Sequence, residues 1–449
     1  MTNHESNQGQ STPRKGVSRR QLLHRAGLGT GVAVTTTGWM PSLARAMRRD
    51  AQLPTLIVVY LRGGADGLSW CAPVNDSLYT SSRAQLKVLP PPTGDRAWLG
   101  ASEVFALPPG ALHPSGVDLS LPFGEGHLTF ALGAGVAGNW RSHFEAQKVM
   151  EAGVGPTSVV PADGWFGRYL QMNGSTLAFR GVNHGSLPAA SLSGGSGVAT
   201  IEDLPSYAFP GPLAVQIGTE ALHSSPPSNA ITQASAAAFD ALEEVGAATY
   251  SASSGDYPPG ALGDALRHTA SVLNHLEATD PDKQMEAIHV NHGGWDHHNE
   301  MSVNAPLLSG AGFYDLSAEL SRALGAFYVD MGGASGVWRY NVIVMSEFGR
   351  RIQETSPMNV ALTGTDHGTG GVMMVMGGGV ASGSASKDVW VPGYSGLASI
   401  VDPNGEDVAA VTDTRNVVGD VLLNRFCVSS GQLGSIFPGH SYAAQGLVV

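Results

Sequence analysis

The 449-residue chain carries 37 Asp and Glu against 25 Lys and Arg, a formal net charge of -12 at pH 7. With no basic stripe available to release counterions, that acidity argues against phosphate-backbone binding, and no nucleic-acid partner is expected. The 42% hydrophobic content is enough for a large α/β core, while only two cysteines, Cys71 and Cys427, exclude a disulfide framework and allow at most one bridge.

At the N-terminus, Ser18-Arg19-Arg20-Gln21-Leu22-Leu23 precedes a modest apolar stretch, residues 26–40, and Ala44-Arg45-Ala46 then offers a small-x-small cleavage site. This resembles a bacterial twin-arginine export signal. The apolar stretch is rich in Gly and Thr and too short to span a membrane. Residues 1–46 are therefore expected to be a signal peptide, with 47–449 a single domain lacking an integral membrane segment. Cleavage after Ala46 removes Arg14, Lys15, Arg19, Arg20, Arg25, Arg45 and Glu5, which takes the net charge from -12 to -17. The twin-arginine machinery carries folded proteins, often with cofactor loaded, so a metal acquired in the cytoplasm fits a periplasmic or secreted destination.

Along the mature chain, residues 55–61 form a continuous β-branched run ending in Arg62-Gly63-Gly64-Ala65-Asp66-Gly67. Such a run predicts a strand buried on both faces. Similar runs lie at 128–132, 287–290, 341–346 and 371–376. Apolar periodicity predicts helices over 142–152, 165–172, 229–250, 261–278, 312–331 and 414–425. Gly, Pro and Ser mark 90–122, 191–197, 251–259 and 378–399 as loops. There is no internal repeat and no clean linker. The expected fold is α/β, with a mostly parallel central sheet, helices on both faces and loop-rich insertions.

Sites in open α/β sheets form beyond the carboxyl ends of the strands. Asp66 follows the first run there, the patch Asn291-His292-Gly293-Gly294-Trp295-Asp296-His297-His298 follows 287–290, and Glu347 follows 341–346. His367 must reach the same edge from a loop. Imidazoles and carboxylates on Gly-containing turns are the ligand types of a divalent metal centre.

The segments Val59-Tyr60-Leu61-Arg62-Gly63-Gly64-Ala65-Asp66-Gly67-Leu68, Arg141-Ser142-His143-Phe144-Glu145-Ala146-Gln147, Gly294-Trp295-Asp296-His297-His298-Asn299, Ser346-Glu347-Phe348-Gly349-Arg350 and Gly364-Thr365-Asp366-His367-Gly368 occur in the order that resembles the DUF1501 family. The resemblance runs from about residue 50 to the C-terminus. That family has no settled activity, and is distantly related to the alkaline phosphatase and sulfatase superfamily, whose members act on phosphate or sulfate esters at a two-metal site.

The resemblance implies an alkaline-phosphatase-like fold and a partial ligand set. Asp66 matches the first metal-binding aspartate. Asp296 and His298 resemble the Asp and His ligands of one metal, with His297 a rival because the spacing is shorter than usual, and His367 matches the late histidine. Where the superfamily places Asp-His-Gly, this chain has Glu347-Phe348-Gly349, so the carboxylate survives and the imidazole does not. One site would keep Asp296, His298 and His367 with an open position, as catalytic zinc sites have. The other would keep Asp66 and Glu347, hard ligands suited to Mg²⁺, Mn²⁺ or Ca²⁺.

Ser142 opens a helix, where the superfamily's nucleophile sits and where free N–H groups favour an anionic ester. The alternative is an ordinary N-cap with Glu145 closing a capping box. Arg350 is a candidate to bind the substrate anion, or a partner for Glu347. Asp366 is a candidate to orient a histidine ring. The cofactor expected is a divalent metal, Zn, Mn or Ca, and the substrate a small-molecule or polymer ester. The rival function classes are a non-catalytic binding or structural envelope protein on this scaffold and a carbohydrate-binding surface protein.

Overall fold

A computed structural model describes residues 53–88, 119–138, 141–156, 158–172, 179–202, 238–239, 248, 255–279, 285–355, 362–381 and 389–449. The expected signal peptide (1–46), most of the predicted 229–250 helix and most of the predicted 90–122 loop lie outside the described residues. So does much of the 378–399 loop.

The central sheet is built on β1 (Thr55–Leu61), β2 (Leu128–Gly135), β3 (Gly181–His184), β4 (Val198–Ile201), β5 (Ala287–His292) and β6 (Tyr340–Ser346). A two-stranded ribbon, β7 (Arg350–Glu354) and β8 (Thr365–His367), precedes β9 (Gly371–Gly377), and two short strands follow, β10 (Val389–Trp390) and β11 (Thr412–Asp413). The order is β10-β2-β9-β6-β1-β5-β3-β4, with β11 also on β2. Strand β1 pairs in parallel with β5 and β6, while β9 is antiparallel to both β2 and β6. The chain returns from β6 to β9 through the β7–β8 ribbon, and an antiparallel neighbour requires no crossover helix. The mostly parallel α/β class expected from the sequence is what the structure has.

All seven residues of β1 are buried, and alternation divides them between two cores. Ile57, Val59 and Leu61 meet α6 (Ala261–Thr279) and α7 (Phe313–Asp330), through residues such as Leu266, Leu320 and Phe327. Leu56, Val58 and Tyr60 face the other way, onto α4 (His143–Ala152), α5 (Trp165–Met172), α8 (Thr414–Arg425) and α9 (Ser430–Ile436). Three short helices, α1 (Gly67–Trp70), α2 (Ser77–Ser82) and α3 (Ser120–Gly124), lie between β1 and β2 in the chain. Period-two burial on both faces is why the strand reads as an unbroken apolar run. No helix among the described residues is long and apolar enough to cross a membrane. Cys71 and Cys427 are not joined to each other, so the single bridge that the cysteine count allowed is not formed.

Two of the buried histidines, His184 and His289, have strongly lowered pKa values. Burial lowers the pKa of His184 and of His289 to about 3, and neither ring nitrogen of His289 has a hydrogen-bond partner. The unfolded chain protonates such rings near pH 6.5, roughly the free imidazole value. Their contribution to stability is therefore complete above that pH and falls as pH drops toward 3, by about 1.4 kcal/mol per pH unit for each ring. Denaturant titrations at pH 7 and pH 5 should show a smaller acid-induced loss in His289→Leu than in the wild type. Equal losses would contradict a neutral buried His289.

Candidate metal centre

The site lies at the carboxyl edge of β1, β5 and β6. The turn after β1 must pass against the turn after β5, and this is where glycine is required. Gly63, at φ 128°, would place a Cβ 2.4 Å from the Asp296 backbone nitrogen, and Gly64, at φ 76°, would place one 2.3 Å from the Phe348 ring. Only a residue without Cβ combines that left-handed conformation with so close an approach.

Arg350, buried at the start of β7, ties these turns together. Its Nε donates to Gly64 O at 2.8 Å, Nη1 to Thr365 O at 2.8 Å and Nη2 to Trp295 O at 3.3 Å. Nη2 also donates to Gly63 O and to Asp296 Oδ1. Of the two roles open to Arg350, the ion pair is made, but with Asp296 rather than Glu347, and the guanidinium is directed at protein acceptors rather than toward an open anion site.

Three predicted residues converge. Asp296 Oδ1 lies 3.1 Å from His367 Nε2 and 3.2 Å from His298 Nε2, and the two Nε2 atoms are 2.9 Å apart. His367 is supplied by β8, one strand of the ribbon, rather than by a loop. His297, the rival, points away: its Nε2 meets Ala311 O at 3.0 Å. Burial opposes the charge on Asp296, but the hydrogen bond from Arg350 and the nearby histidines prevail and bring its pKa to about 2.

His143, the first residue of α4, joins them. Its Nε2 is 3.3 Å from Asp296 Oδ2, and its ring packs edge-on to His367 with centroids 4.4 Å apart. Donor atoms of His143, Asp296 and His367 all lie within 4.8 Å of one another, as do those of His298, Asp366 and His367. Sequence reasoning overlooked His143 as a ligand type. The signal was its i, i+4 spacing to Gln147, which puts both side chains on one helix face, here the face toward Glu347.

The other predicted residues are engaged elsewhere. Both oxygens of buried Asp66 are held by Arg83, with Nη2 to Oδ1 at 2.9 Å, and Ser69 Oγ donates to Oδ2 at 2.5 Å. Burial works against the charge on Asp66, and Arg83 overcomes it, leaving the carboxyl below its usual range. Glu347 Oε1 accepts from Gly63 N, Gln147 Nε2 and His143 Nδ1, each at 2.9 Å. Its Oε2 lies 3.0 Å from Ser346 Oγ, whose one proton is shared with Leu61 O at 2.6 Å. The structure thus does not assemble Asp66 and Glu347 into a second ligand pair. Ser142 occupies the N-cap position of α4 but makes no side-chain cap, so the expected capping box is not formed. Asp366 Oδ1 stands 3.8 Å from His298 Nδ1, too far for a direct hydrogen bond.

The donor set fits a divalent ion. His367 Nδ1 faces Arg141 O at 2.6 Å, and a carbonyl only accepts, so the neutral ring assigned from this partner has its lone pair on Nε2. That lone pair faces an ionised carboxylate and a second imidazole. A tetrahedral site with bonds of about 2.0–2.1 Å has donor atoms about 3.3 Å apart, close to the 2.9–3.2 Å edges seen here.

Comparison with known proteins places this patch in a family segment. The model for the family described as a protein of unknown function (DUF1501) matches residues 275–389, which include Asp296, His298, Glu347, Arg350 and His367. Among solved structures, a protein in the alkaline phosphatase superfamily from Vibrio parahaemolyticus is similar at 10% identity and a TM-score of 0.33, over 73% of this chain and 60% of that one. Ps i-CgsB is similar at 12% identity and a TM-score of 0.31, over 73% of this chain and 66% of that one. Its complex with k-i-k-neocarrahexaose gives 12% and 0.34, over 85% and 74%. No curated protein matches. Likenesses this distant say nothing of the chemistry, which rests on the geometry above.

The Asp66–Arg83 pair gives a direct test of its structural role. Arg83→Leu leaves a buried, unpaired carboxylate and should cost about 3–5 kcal/mol in chemical denaturation, much of it recovered by adding Asp66→Asn. A loss below about 1 kcal/mol would contradict that role, being the size of an exposed pair.

Proposed function

We propose that this chain, which carries a DUF1501 segment, is an exported metal-dependent hydrolase of phosphate or sulfate esters. The observation that supports it is the convergence of Asp296, His298 and His367 donor atoms at 2.9–3.2 Å on the carboxyl edge of the sheet. When bound, a divalent ion supplies Lewis acidity and a lowered pKa for a coordinated water. Zinc suits this nitrogen-rich set better than the hard-ligand metals.

The residues of the chain divide the remaining work. Arg350 fixes Asp296 against the β1 and β5 turns and holds it ionised. Arg141 O orients His367. Ser142, between Arg141 and His143 at the N-terminus of α4, is the candidate nucleophile, with unpaired helix N–H groups beside it to favour an anionic ester. The half-exposed Asp296 and His298 leave the cluster open to substrate.

A second reading, a non-catalytic binding or envelope protein on the same scaffold, draws on Phe348. Its ring packs against His143 and His367 with centroids 5.0 and 4.7 Å apart, in the position where the superfamily has an imidazole. Residues 1–46 are proposed as the twin-arginine leader for a periplasmic or secreted product. Arg19→Lys with Arg20→Lys should leave the protein in the cytoplasm of a competent host, and normal export of that variant would contradict this.

Elemental analysis of residues 47–449 purified from such a host should find about one equivalent of metal, lost in the Asp296→Ala, His298→Ala variant. Hydrolysis of p-nitrophenyl phosphate or sulfate should be lost with it, and Ser142→Ala should lower kcat about 100-fold or more if the serine is the nucleophile. Stoichiometric metal without turnover of any ester would favour the binding protein, and no metal would sink the hydrolase.

A further inference from the structure

Glu347 sits where the sequence suggests a metal ligand, yet its oxygens are already engaged. It is 3% exposed, and three donors reach its Oε1 from the β1 turn (Gly63 N) and two positions on α4 (His143 Nδ1 and Gln147 Nε2), while Oε2 lies 3.0 Å from Ser346 Oγ, whose one proton is shared with Leu61 O at 2.6 Å. An oxygen of an ionised carboxylate has about two acceptor directions, so Oε1 has no capacity left for a cation.

His143 shows where that carboxylate acts. A carboxylate accepts only, so Nδ1 of His143 must carry a proton and, in the neutral ring, Nε2 must present its lone pair. That Nε2 is buried and has no hydrogen-bond partner, although Asp296 Oδ2 is 3.3 Å away. Two acceptors facing each other at that distance need a positive charge between them, either a proton on Nε2, which Glu347 and Asp296 favour by raising the His143 pKa, or a bound cation. His367 presents its own Nε2 lone pair to the other oxygen of Asp296 at 3.1 Å.

We infer that His143 is a ligand of the centre through Nε2, and that Glu347 is its positioning residue, selecting the tautomer and ring direction without binding metal. The inference rests on the proposed metal centre. Carboxylate–imidazole–metal relays of this kind raise ligand basicity, and loss of the outer partner costs about 10–100-fold in metal affinity. α4 thereby brings an imidazole next to the Phe348 ring, with centroids 5.0 Å apart.

A double-mutant cycle with zinc tests it, using competition with a chromophoric chelator on His143→Ala, Glu347→Gln and the pair. Each single variant should bind zinc about 10–100-fold more weakly, and Glu347→Gln should add nothing in the His143→Ala background. A further loss of about tenfold or more in that background would make Glu347 a ligand itself and overturn the inference, as would unchanged binding by His143→Ala.

Imidazole ¹⁵N spectra of the metal-free protein at about pH 8.5, above the ordinary imidazole range, supply an independent readout. The wild type should hold His143 as the Nδ1–H tautomer, and Glu347→Gln should lose that preference. If the wild type binds no zinc, the metal-centre reading fails, and the spectra alone decide whether Glu347 positions His143. Mixed tautomers in the wild type, or the same tautomer in Glu347→Gln, would overturn the inference.

Discussion

Everything at the carboxyl edge depends on one buried guanidinium. Arg350 bonds the carbonyls of Gly63, Gly64, Trp295 and Thr365 and the carboxylate of Asp296, so a single side chain fixes the turns after β1 and β5 and the strand β8. Buried carbonyls without a donor would each cost about 1–3 kcal/mol, and the planar fork satisfies several of them from one rigid group. The Gly63-Gly64 turn follows from the same constraint. Those residues lie close enough to the Trp295–Asp296 backbone and to Phe348 that a Cβ would collide.

On that platform the donor atoms are set by outer partners. Arg141 O fixes His367, Glu347 fixes His143, and Arg350 holds Asp296 ionised. The outer partners come from parts of the chain far apart in sequence. The inward-facing lone pairs of His143 and His367 both face Asp296, which is the electrostatic condition a cation relieves. Glu347 and Asp66 are carboxylates of a different kind, buried and held by donors of the protein itself.

Much of this was legible in the sequence, for particular physical reasons. The strands buried on both faces read as apolar runs, and long amphipathic helices such as α6 and α7 read from their period. The Asp296–His298 turn and His367 stood out because such residues on glycine turns after buried strands have few other uses. Asp66 misled because its partner Arg83 lies beyond a short helix that the sequence pattern did not mark. Glu347 misled because its donors come from three separated segments, and a resemblance transfers a residue's position without its hydrogen bonds. His143 was overshadowed by Ser142 beside it. The short strands β3, β4, β10 and β11 carry too few residues for a periodic signal.

The most direct test is a zinc-soaked crystal of residues 47–449 with diffraction collected on both sides of the zinc absorption edge. The account predicts one anomalous peak about 2.0–2.2 Å from Asp296, His298, His367 and His143, with a water as a fifth ligand that keeps the position open for substrate, and Glu347 outside bonding distance. A peak held by Asp66 and Glu347, or no peak at zinc concentrations that saturate ordinary catalytic sites, would contradict it.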